Sequence, residues 1–224
     1  MNERMRRLPP LLLLLVACSH PAPRHDEHQQ PYHAYHRFEH AEDWVARFED
    51  PSRDAWQKPD EVIRTFSASP SASVADIGAG TGYFSVRLAR AMPEGRVFAI
   101  DTEPSMVQYV TERAKREGLS NIQAVLASPE DPKIPNAVDL IIIVDTCHHI
   151  ADRTAYFRRL MPALKPAGHL AIIDFKPESK MGPIEKVPAA QVVRELTDAG
   201  YSLVAGPGIL PEQYFLIFGL VQPQ

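Results

Sequence analysis

No basic stripe stands out in this chain of 224 residues. It has 24 Lys and Arg against 28 Asp and Glu, which gives a formal net charge of -4. After the first 18 residues, the densest basic cluster is Arg113, Lys115 and Arg116 on one predicted helix, which we interpret as a solvated face. A nucleic-acid substrate needs clustered Lys and Arg to neutralise phosphates. The sequence therefore predicts no nucleic-acid partner.

The N-terminal apolar stretch is too short to span a membrane. Leu8 to Ala17 falls far below the roughly 20 residues that cross a bilayer, and three arginines precede it. We therefore interpret residues 1–17 as a signal peptide rather than an anchor helix. The ending Leu-Val-Ala-Cys at Cys18 resembles the lipobox of bacterial lipoproteins, in which the cysteine is acylated and becomes the mature N-terminus.

This lipobox resemblance implies a location. It places the protein in the bacterial cell envelope, facing the periplasm and attached to the membrane through a lipid at Cys18. Ser19 in the next position favours the outer over the inner membrane. The alternative is an ordinary secretory leader with a chance cysteine.

Cysteine is nearly absent, since Cys18 and Cys147 are the only two. If Cys18 carries lipid, Cys147 has no partner, and no disulfide is expected despite export. The sequence predicts that Cys147 is buried at the end of a strand.

Residues 18–42 are rich in His, Pro, Gln and charge and contain six of the nine histidines. This composition predicts a tether between the leader and one domain at residues 43–224. Metal capture by the tether is the alternative, because His33/His36 and His36/His40 would share a helix face. Without cysteine or a matched acidic ligand, we predict no metal site.

From residue 74 onward, apolar strands alternate with amphipathic helices. The predicted strands are 74–77, 97–100, 122–126, 138–144, 169–173, 202–205 and 214–221, and the predicted helices are 82–92, 104–117, 153–164 and 188–199. Strict alternation predicts an α/β fold, with a parallel sheet and helices on both faces. Residues 206–213 are too few for a crossover helix, so the last strand is predicted to run antiparallel.

Three glycines alternate in Asp-Ile-Gly-Ala-Gly-Thr-Gly, from Asp76 to Gly82, between the first strand and the first crossover helix. Such glycines allow positive φ and let backbone amides approach a ligand closely. The last glycine of a dinucleotide fingerprint would fall at Tyr83, which argues against NAD. With Asp101 closing the next strand, the pattern resembles the first two motifs of class I S-adenosylmethionine (SAM) methyltransferases.

The methyltransferase resemblance implies a Rossmann-like sheet of seven strands in the order 3-2-1-4-5-7-6, with SAM bound outside the carboxyl ends of strands one and four. The residues expected to bind the cofactor are Asp76, Gly78, Gly80, Gly82, Asp101, Ser128 and Asp145. Asp101 is expected to accept both ribose hydroxyls, with a helix cap before Pro104 as the alternative. Ser128 stands where the family commonly has an Asp that holds the adenine amino group.

A His148-His149 pair follows the fourth predicted strand. Such a pair is frequent among small-molecule methyltransferases that resemble ubiquinone and menaquinone biosynthesis enzymes. A histidine there could remove a substrate proton as the methyl group arrives, so both are candidate catalytic residues. The alternative is that one or both histidines cap the helix that starts near Asp152 or pack beneath the loop.

The sequence thus favours a SAM-dependent methyltransferase acting on a small molecule by in-line transfer. Asp145, Tyr83 and Trp56 are candidates to surround the sulfonium, and residues 181–186 are expected to close the substrate pocket. The alternative is an exported binding protein that keeps the fold for a nucleoside-like ligand without catalysis. Export favours this alternative, because SAM is made in the cytoplasm, whereas the intact glycine loop and Asp101 favour the enzyme.

Overall fold

Seven strands form one sheet within residues 38–221, the part of the chain that the computed structural model describes. The strands are β1 Ser73–Ile77, β2 Arg96–Asp101, β3 Ile122–Leu126, β4 Val138–Val144, β5 Leu164–Phe175, β6 Tyr201–Ala205 and β7 Gln213–Leu220. The helices of this part are α1 Ala41–Phe48, α2 Arg53–Gln57, α3 Pro59–Thr65, α4 Tyr83–Ala91, α5 Pro104–Arg116, α6 Arg153–Leu160 and α7 Ala189–Ala199, with 3₁₀ turns at Cys147–His149 and Met161–Ala163.

The strand order is β3-β2-β1-β4-β5-β7-β6. The pairs among β1 to β5 are parallel, and β7 pairs antiparallel with both β5 and β6. Ile77 pairs with Ile100 and with Ile143, so the carboxyl ends of β1, β2 and β4 lie at one edge. Gln213 pairs with Phe175, which brings the start of β7 to this carboxyl edge. The predicted fold and the reversed last strand are confirmed.

Strand β4 shows why the central sheet is so apolar. Ile141 and Ile143 belong to the core on the α6 and α7 side, whereas Leu140 and Ile142 belong to the core on the α3 and α4 side. Both faces of the strand are buried, so neither can be polar. This burial explains the nearly continuous apolar run that predicted the strand.

The predicted boundary between the fifth strand and the preceding helix is wrong. Helix α6 ends at Leu160, and β5 begins at Leu164 rather than His169. Pro162, in the intervening 3₁₀ turn, has no N–H for an α-helical hydrogen bond. Leu164 pairs with Val138, and His169 pairs with Leu140, so residues 165–168, which lie between the predicted helix and the predicted strand, form an irregularity inside β5.

Three short helices precede the sheet, and α1 packs against α5. Within residues 38–221, no helix combines the length and apolar character needed to cross a membrane. Cys147 lies three residues after the end of β4, at the start of the 3₁₀ turn, and is fully buried, as the sequence predicts. Cys18 and the histidines before residue 38 lie outside the described residues.

Candidate active site

The glycine loop joins β1 to α4 at the carboxyl edge. All three glycines have positive φ, at 76°, 54° and 87° for Gly78, Gly80 and Gly82. The N–H of Gly78 donates to the carbonyl of Ile100 at 2.8 Å, which ties the loop to β2. A Cβ on Gly78 would lie 2.1 Å from Oγ1 of Thr146, so glycine lets the segment after β4 approach the loop closely.

Asp76, near the end of β1, links the two elements on either side of this loop. Its carboxylate is buried and accepts a hydrogen bond from Oγ of Ser85 in α4 at 2.6 Å. Burial raises the pKa of Asp76 to about 6, although the Ser85 hydrogen bond acts against the rise. The residue therefore links β1 to α4 across the loop, and its predicted contact with the cofactor stays a prediction.

Asp101 connects the glycine loop to the start of α5. Its Oδ2 accepts the N–H of Gly80 at 2.8 Å, and its Oδ1 accepts the N–H of Glu103 at 3.0 Å. Burial raises the pKa of Asp101, and these backbone hydrogen bonds partly offset the rise. Each oxygen keeps lone-pair capacity for a ribose hydroxyl. Ribose binding by Asp101 stays a prediction. The alternative, in which Asp101 caps the helix before Pro104, also stays open.

Ser128 lies beside the same edge. The N–H of the preceding residue, Ala127, donates to the backbone carbonyl of Asp101 at 2.9 Å. The backbones of Ser128 and Asp131 exchange two hydrogen bonds, at 3.0 and 3.2 Å. The turn is therefore fixed next to Asp101, and the adenine contact of Ser128 stays a prediction.

Asp145 is constrained in both its backbone and its side chain. It follows β4 with a φ of 52°, in the left-handed region. Its Oδ2 accepts from Nε2 of Gln57 at 2.8 Å, and its Oδ1 accepts from Nε2 of Gln213. Burial, followed by the charge of Asp174, raises its pKa to about 6. Gln57 and Gln213 are 0% and 1% exposed, and the sequence analysis missed both.

Helix α2 lies against this edge through several side chains. The guanidinium of Arg53 stands 4.1 Å from the ring centroid of Tyr83, whose hydroxyl donates to Asp54. Trp56 packs against Phe175, the last residue of β5, at 5.8 Å between ring centroids. Arg53 contacts both Trp56 and Tyr83 and lies 3.6 Å from Asp145, so the three predicted lining residues meet around one guanidinium.

His148 is held by Asp174, near the end of β5. The Nδ1 of His148 lies 2.9 Å from both carboxylate oxygens, and its backbone N–H donates to Oδ2 at 3.1 Å. The two side chains are 9% and 3% exposed. The sequence analysis gave Asp174 no role, although an acidic residue at the end of an apolar strand was the available signal.

His149 stacks beside this pair, with its ring centroid 4.2 Å from that of His148. Its ring also meets Phe38 edge-on at 6.4 Å. Asp152 itself caps α6, because its Oδ1 accepts the N–H of Ala155 at 3.1 Å. The alternative that the histidines cap this helix is therefore wrong.

Two further segments lie near the carboxyl edge of the sheet. Phe48 at the end of α1 approaches the glycine loop, and its Cδ2 would lie 3.4 Å from a Cβ on Gly80. Gly182, in the 181–186 segment, packs so closely on Phe175 that a Cβ would stand 2.3 Å from the ring. The segment thus lies near the end of β5, and its closing of a substrate pocket stays a prediction. Among residues 38–221, no group of three or more His, Cys, Asp and Glu side chains is arranged to hold a metal ion.

A family model described as a methyltransferase domain matches residues 68–200, more than half of the chain. The chain belongs to this methyltransferase-domain family. The domain resembles the solved structure of a SAM-dependent methyltransferase from Aquifex aeolicus, with 28% identity, a TM-score of 0.75, and coverage of 80% of this chain and 98% of that one. The structure of the DhpI–SAH complex shares the fold, with 22% identity, a TM-score of 0.64, and coverage of 82% and 92%.

Curated methyltransferases match shorter parts of the domain. The malonyl-[acyl-carrier protein] O-methyltransferase of Acetivibrio thermocellus is 30% identical over 102 residues, 46% of this chain and 35% of the relative. The ubiquinone/menaquinone biosynthesis C-methyltransferase of Shewanella woodyi is 29% identical over 117 residues, 51% of this chain and 47% of the relative. The chain thus spans between a third and a half of the length of these relatives.

Proposed function

We propose that this domain transfers a methyl group from SAM to a small molecule bound at the carboxyl edge of its sheet. The observation that carries the proposal is the positive-φ glycine loop with three aspartates around it. Asp76 precedes the loop, Asp101 accepts the N–H of Gly80, and Asp145 adjoins Thr146, which packs against Gly78. SAM brings a sulfonium and an ammonium group, and carboxylates in a buried site favour such cations. Small-molecule methyltransferases among the structural relatives, such as coclaurine N-methyltransferase bound to N-methylheliamine and SAH, support the same class of substrate.

The chemistry requires little covalent participation from the protein. The acceptor attacks the methyl carbon in line as the bond to sulfur breaks, and the bonding pair stays on sulfur to give S-adenosylhomocysteine (SAH). The glycine loop and Asp101 fix the position of the adenosine part. Asp145 places a negative charge near the reacting centre, whereas the Tyr83 ring is already stacked against the guanidiniums of Arg53 and Arg87.

His148 is the candidate base for an acceptor that carries a proton. Asp174 fixes the imidazole through Nδ1, which leaves Nε2 to take the proton from the substrate. Asp174 is accordingly a positioning residue. Once an acceptor is identified, His148→Ala should lower turnover by about 10²- to 10⁴-fold with SAM affinity retained. Asp174→Asn should lower turnover and change the dependence of turnover on pH. Near-normal turnover in His148→Ala would instead show that His148 and Asp174 have only a structural role.

Calorimetry tests the cofactor assignment without a known acceptor. The folded chain should bind SAM and SAH, and Asp101→Ala should weaken SAM binding at least about tenfold through loss of charge-assisted hydrogen bonds. Asp139→Ala is the matched control, because this aspartate lies at the other end of β4 and bonds Ser73 and Lys165. Equal affinity in wild type and Asp101→Ala would remove the ribose assignment, and no binding by the wild type would refute the function.

We also propose that residues 1–17 are removed on export and that Cys18 carries the lipid, with an outer-membrane location. The charged start, the short apolar stretch and the Leu-Val-Ala-Cys ending support this, and they lie outside the described residues. Mass spectrometry of the membrane fraction should find acyl chains on Cys18 and no residues before it. Recovery of the intact chain from Met1 in the cytosol would contradict both export and anchoring.

A further inference from the structure

Arg53 differs from two other arginines that are buried to a similar degree. The side chains of Arg53, Arg113 and Arg153 are 15%, 12% and 13% exposed. Arg113 and Arg153 each bond a glutamate oxygen at 2.6 Å. The ion pair between Arg53 and Asp145 is 3.6 Å long, which is beyond a good hydrogen bond.

The hydrogen bonds of Arg53 go to neutral oxygens instead. Its Nε and Nη2 donate to Oε1 of Gln57 at 2.9 and 2.5 Å, and its Nη1 donates to the carbonyl of Phe48. Burial lowers the pKa of Arg53, and the charge of Asp145 only partly offsets it. At Arg113 hydrogen-bonded glutamates outweigh burial, and at Arg153 the bond to Glu195 is the largest influence, so both pKa values are raised.

A buried cation without a hydrogen-bonded carboxylate lacks the partner that normally compensates its desolvation. Arg53 still has donors for one. A guanidinium has five N–H groups, and the bonds to Gln57 and Phe48 use three of them, which leaves one on each terminal nitrogen. Two adjacent N–H groups of this kind match the two oxygens of a carboxylate.

The position of Arg53 indicates which carboxylate it would meet. It stands over Tyr83, the residue that follows the glycine loop, and beside Asp145. Thr146, the next residue, closely approaches Gly78. Arg53 therefore lies on the β4 side of the loop, whereas Asp101, the ribose candidate, lies on the β2 side. The part of SAM that extends away from the ribose is its methionine moiety.

We propose that Arg53 binds the α-carboxylate of the SAM methionine moiety, while Asp145 beside it faces the cationic groups of the cofactor. This inference rests on the proposed function. The aspartates of the site would then face the sulfonium and ammonium groups of SAM, and the guanidinium of Arg53 would face the carboxylate of SAM. SAM would then be selected over an analogue that lacks the carboxylate.

Calorimetry of the full chain with SAM and with decarboxylated SAM tests the inference. The wild type should bind SAM at least about tenfold more tightly than the decarboxylated analogue. Arg53→Gln should bring the two affinities to within about twofold or invert their order, because the analogue carries one more net positive charge toward the carboxylates. Arg53→Lys keeps the charge without the planar fork and should show an intermediate ratio.

Arg87→Gln is the matched control. The Arg87 guanidinium lies 3.9 Å from the same Tyr83 ring but pairs with Asp54 at 3.1 Å, so its loss should leave the wild-type ratio intact. A folded Arg53→Gln variant with the wild-type ratio, or a wild type that binds both ligands equally, would overturn the inference. If Arg53→Gln does not fold, an unchanged ratio in Arg53→Lys would overturn it. A wild type that binds neither ligand would refute the proposed function itself.

Discussion

Replacing Asp76 with asparagine should make the ligand-free protein more stable at neutral pH. The Asp76 carboxylate is only 3% exposed, and it accepts the Ser85 hydroxyl at 2.6 Å. Burial raises its pKa from 3.8 to about 6, with a further upward contribution from Asp101. Asp76→Asn keeps the side-chain shape and an oxygen for Ser85, but it removes the buried charge.

The sign follows from proton linkage. Because the pKa of Asp76 is higher in the folded than in the unfolded chain, the folded chain binds this proton more tightly. Its contribution to stability is complete below about pH 4 and is lost as the pH rises through about 6. A pKa shift of about two units corresponds to about 3 kcal/mol. Asp76→Asn should therefore exceed the wild type by up to about 3 kcal/mol near neutral pH and match it below about pH 4.

Urea denaturation without ligand, at several pH values between about 4 and about 8, measures this difference. Asp139→Asn is a control of opposite sign. Hydrogen bonds from Lys165 and Ser73 outweigh burial and lower the pKa of Asp139, so the charged form stabilises the fold above that pKa and its loss should destabilise at neutral pH. A stability difference for Asp76→Asn that does not change with pH, or a less stable variant at neutral pH, would refute the reasoning.

Three further outcomes follow from contacts elsewhere in the domain. Gly78→Ala should destabilise the fold by at least about 2 kcal/mol, because the φ of Gly78 is 76° and the new Cβ would lie 2.1 Å from Oγ1 of Thr146. A loss of stability below about 0.5 kcal/mol in urea denaturation would contradict this. If Asp145 faces the SAM cation as proposed, SAM affinity should fall about tenfold from about pH 7 to about pH 5, because burial raises the pKa of Asp145 to about 6 and protonation removes its charge. An equal fall in the affinity of SAH, which lacks the sulfonium charge, measured by calorimetry, would count against this role of Asp145. Tyr214→Phe should be neutral or stabilising by about 1 kcal/mol, because its hydroxyl is the one buried side-chain polar atom of residues 38–221 without a hydrogen bond. Tyr201→Phe removes a 3.0 Å hydrogen bond to the carbonyl of Phe157 and should lower the free energy of unfolding by about 1 kcal/mol. If thermal denaturation shows equal losses of stability in the two variants, the Tyr214 hydroxyl is not unpaired.

The parts of the site that sequence predicts are those in which neighbours in the chain are neighbours in space. Asp76 and the three glycines lie within seven residues, and the ends of parallel strands must meet at one edge. The strand alternation therefore placed Asp101, Asp145 and His148 at this edge before any contact was known. The reversed β7 followed from the length of one connection, because residues 206–213 are too few to form a crossover helix.

The contacts that sequence did not predict join residues far apart in the chain. Gln57 meets Asp145 across 88 positions, and Gln213 meets it across 68. Local patterns carry no information about such pairs. The polar Gln213 at the start of an otherwise apolar strand was a weak signal. The early start of β5 was missed for a related reason, because the pairing of Leu164 with Val138 overrides the turn preference of the Pro-Ala-Gly that follows.

The direction of β7 determines how Asp145 is held. Had β7 run parallel to β5, its first residue would lie at the opposite edge, and no side chain there could reach the residue after β4. Because β7 is antiparallel, Gln213 pairs with Phe175 and its amide donates to Asp145 from one side, while Gln57 of α2 donates from the other. Two buried amides thus fix both oxygens of a carboxylate whose backbone is in the left-handed region. The topology and the short helix before the sheet therefore act together to hold this charge at the place where the glycine loop meets β4.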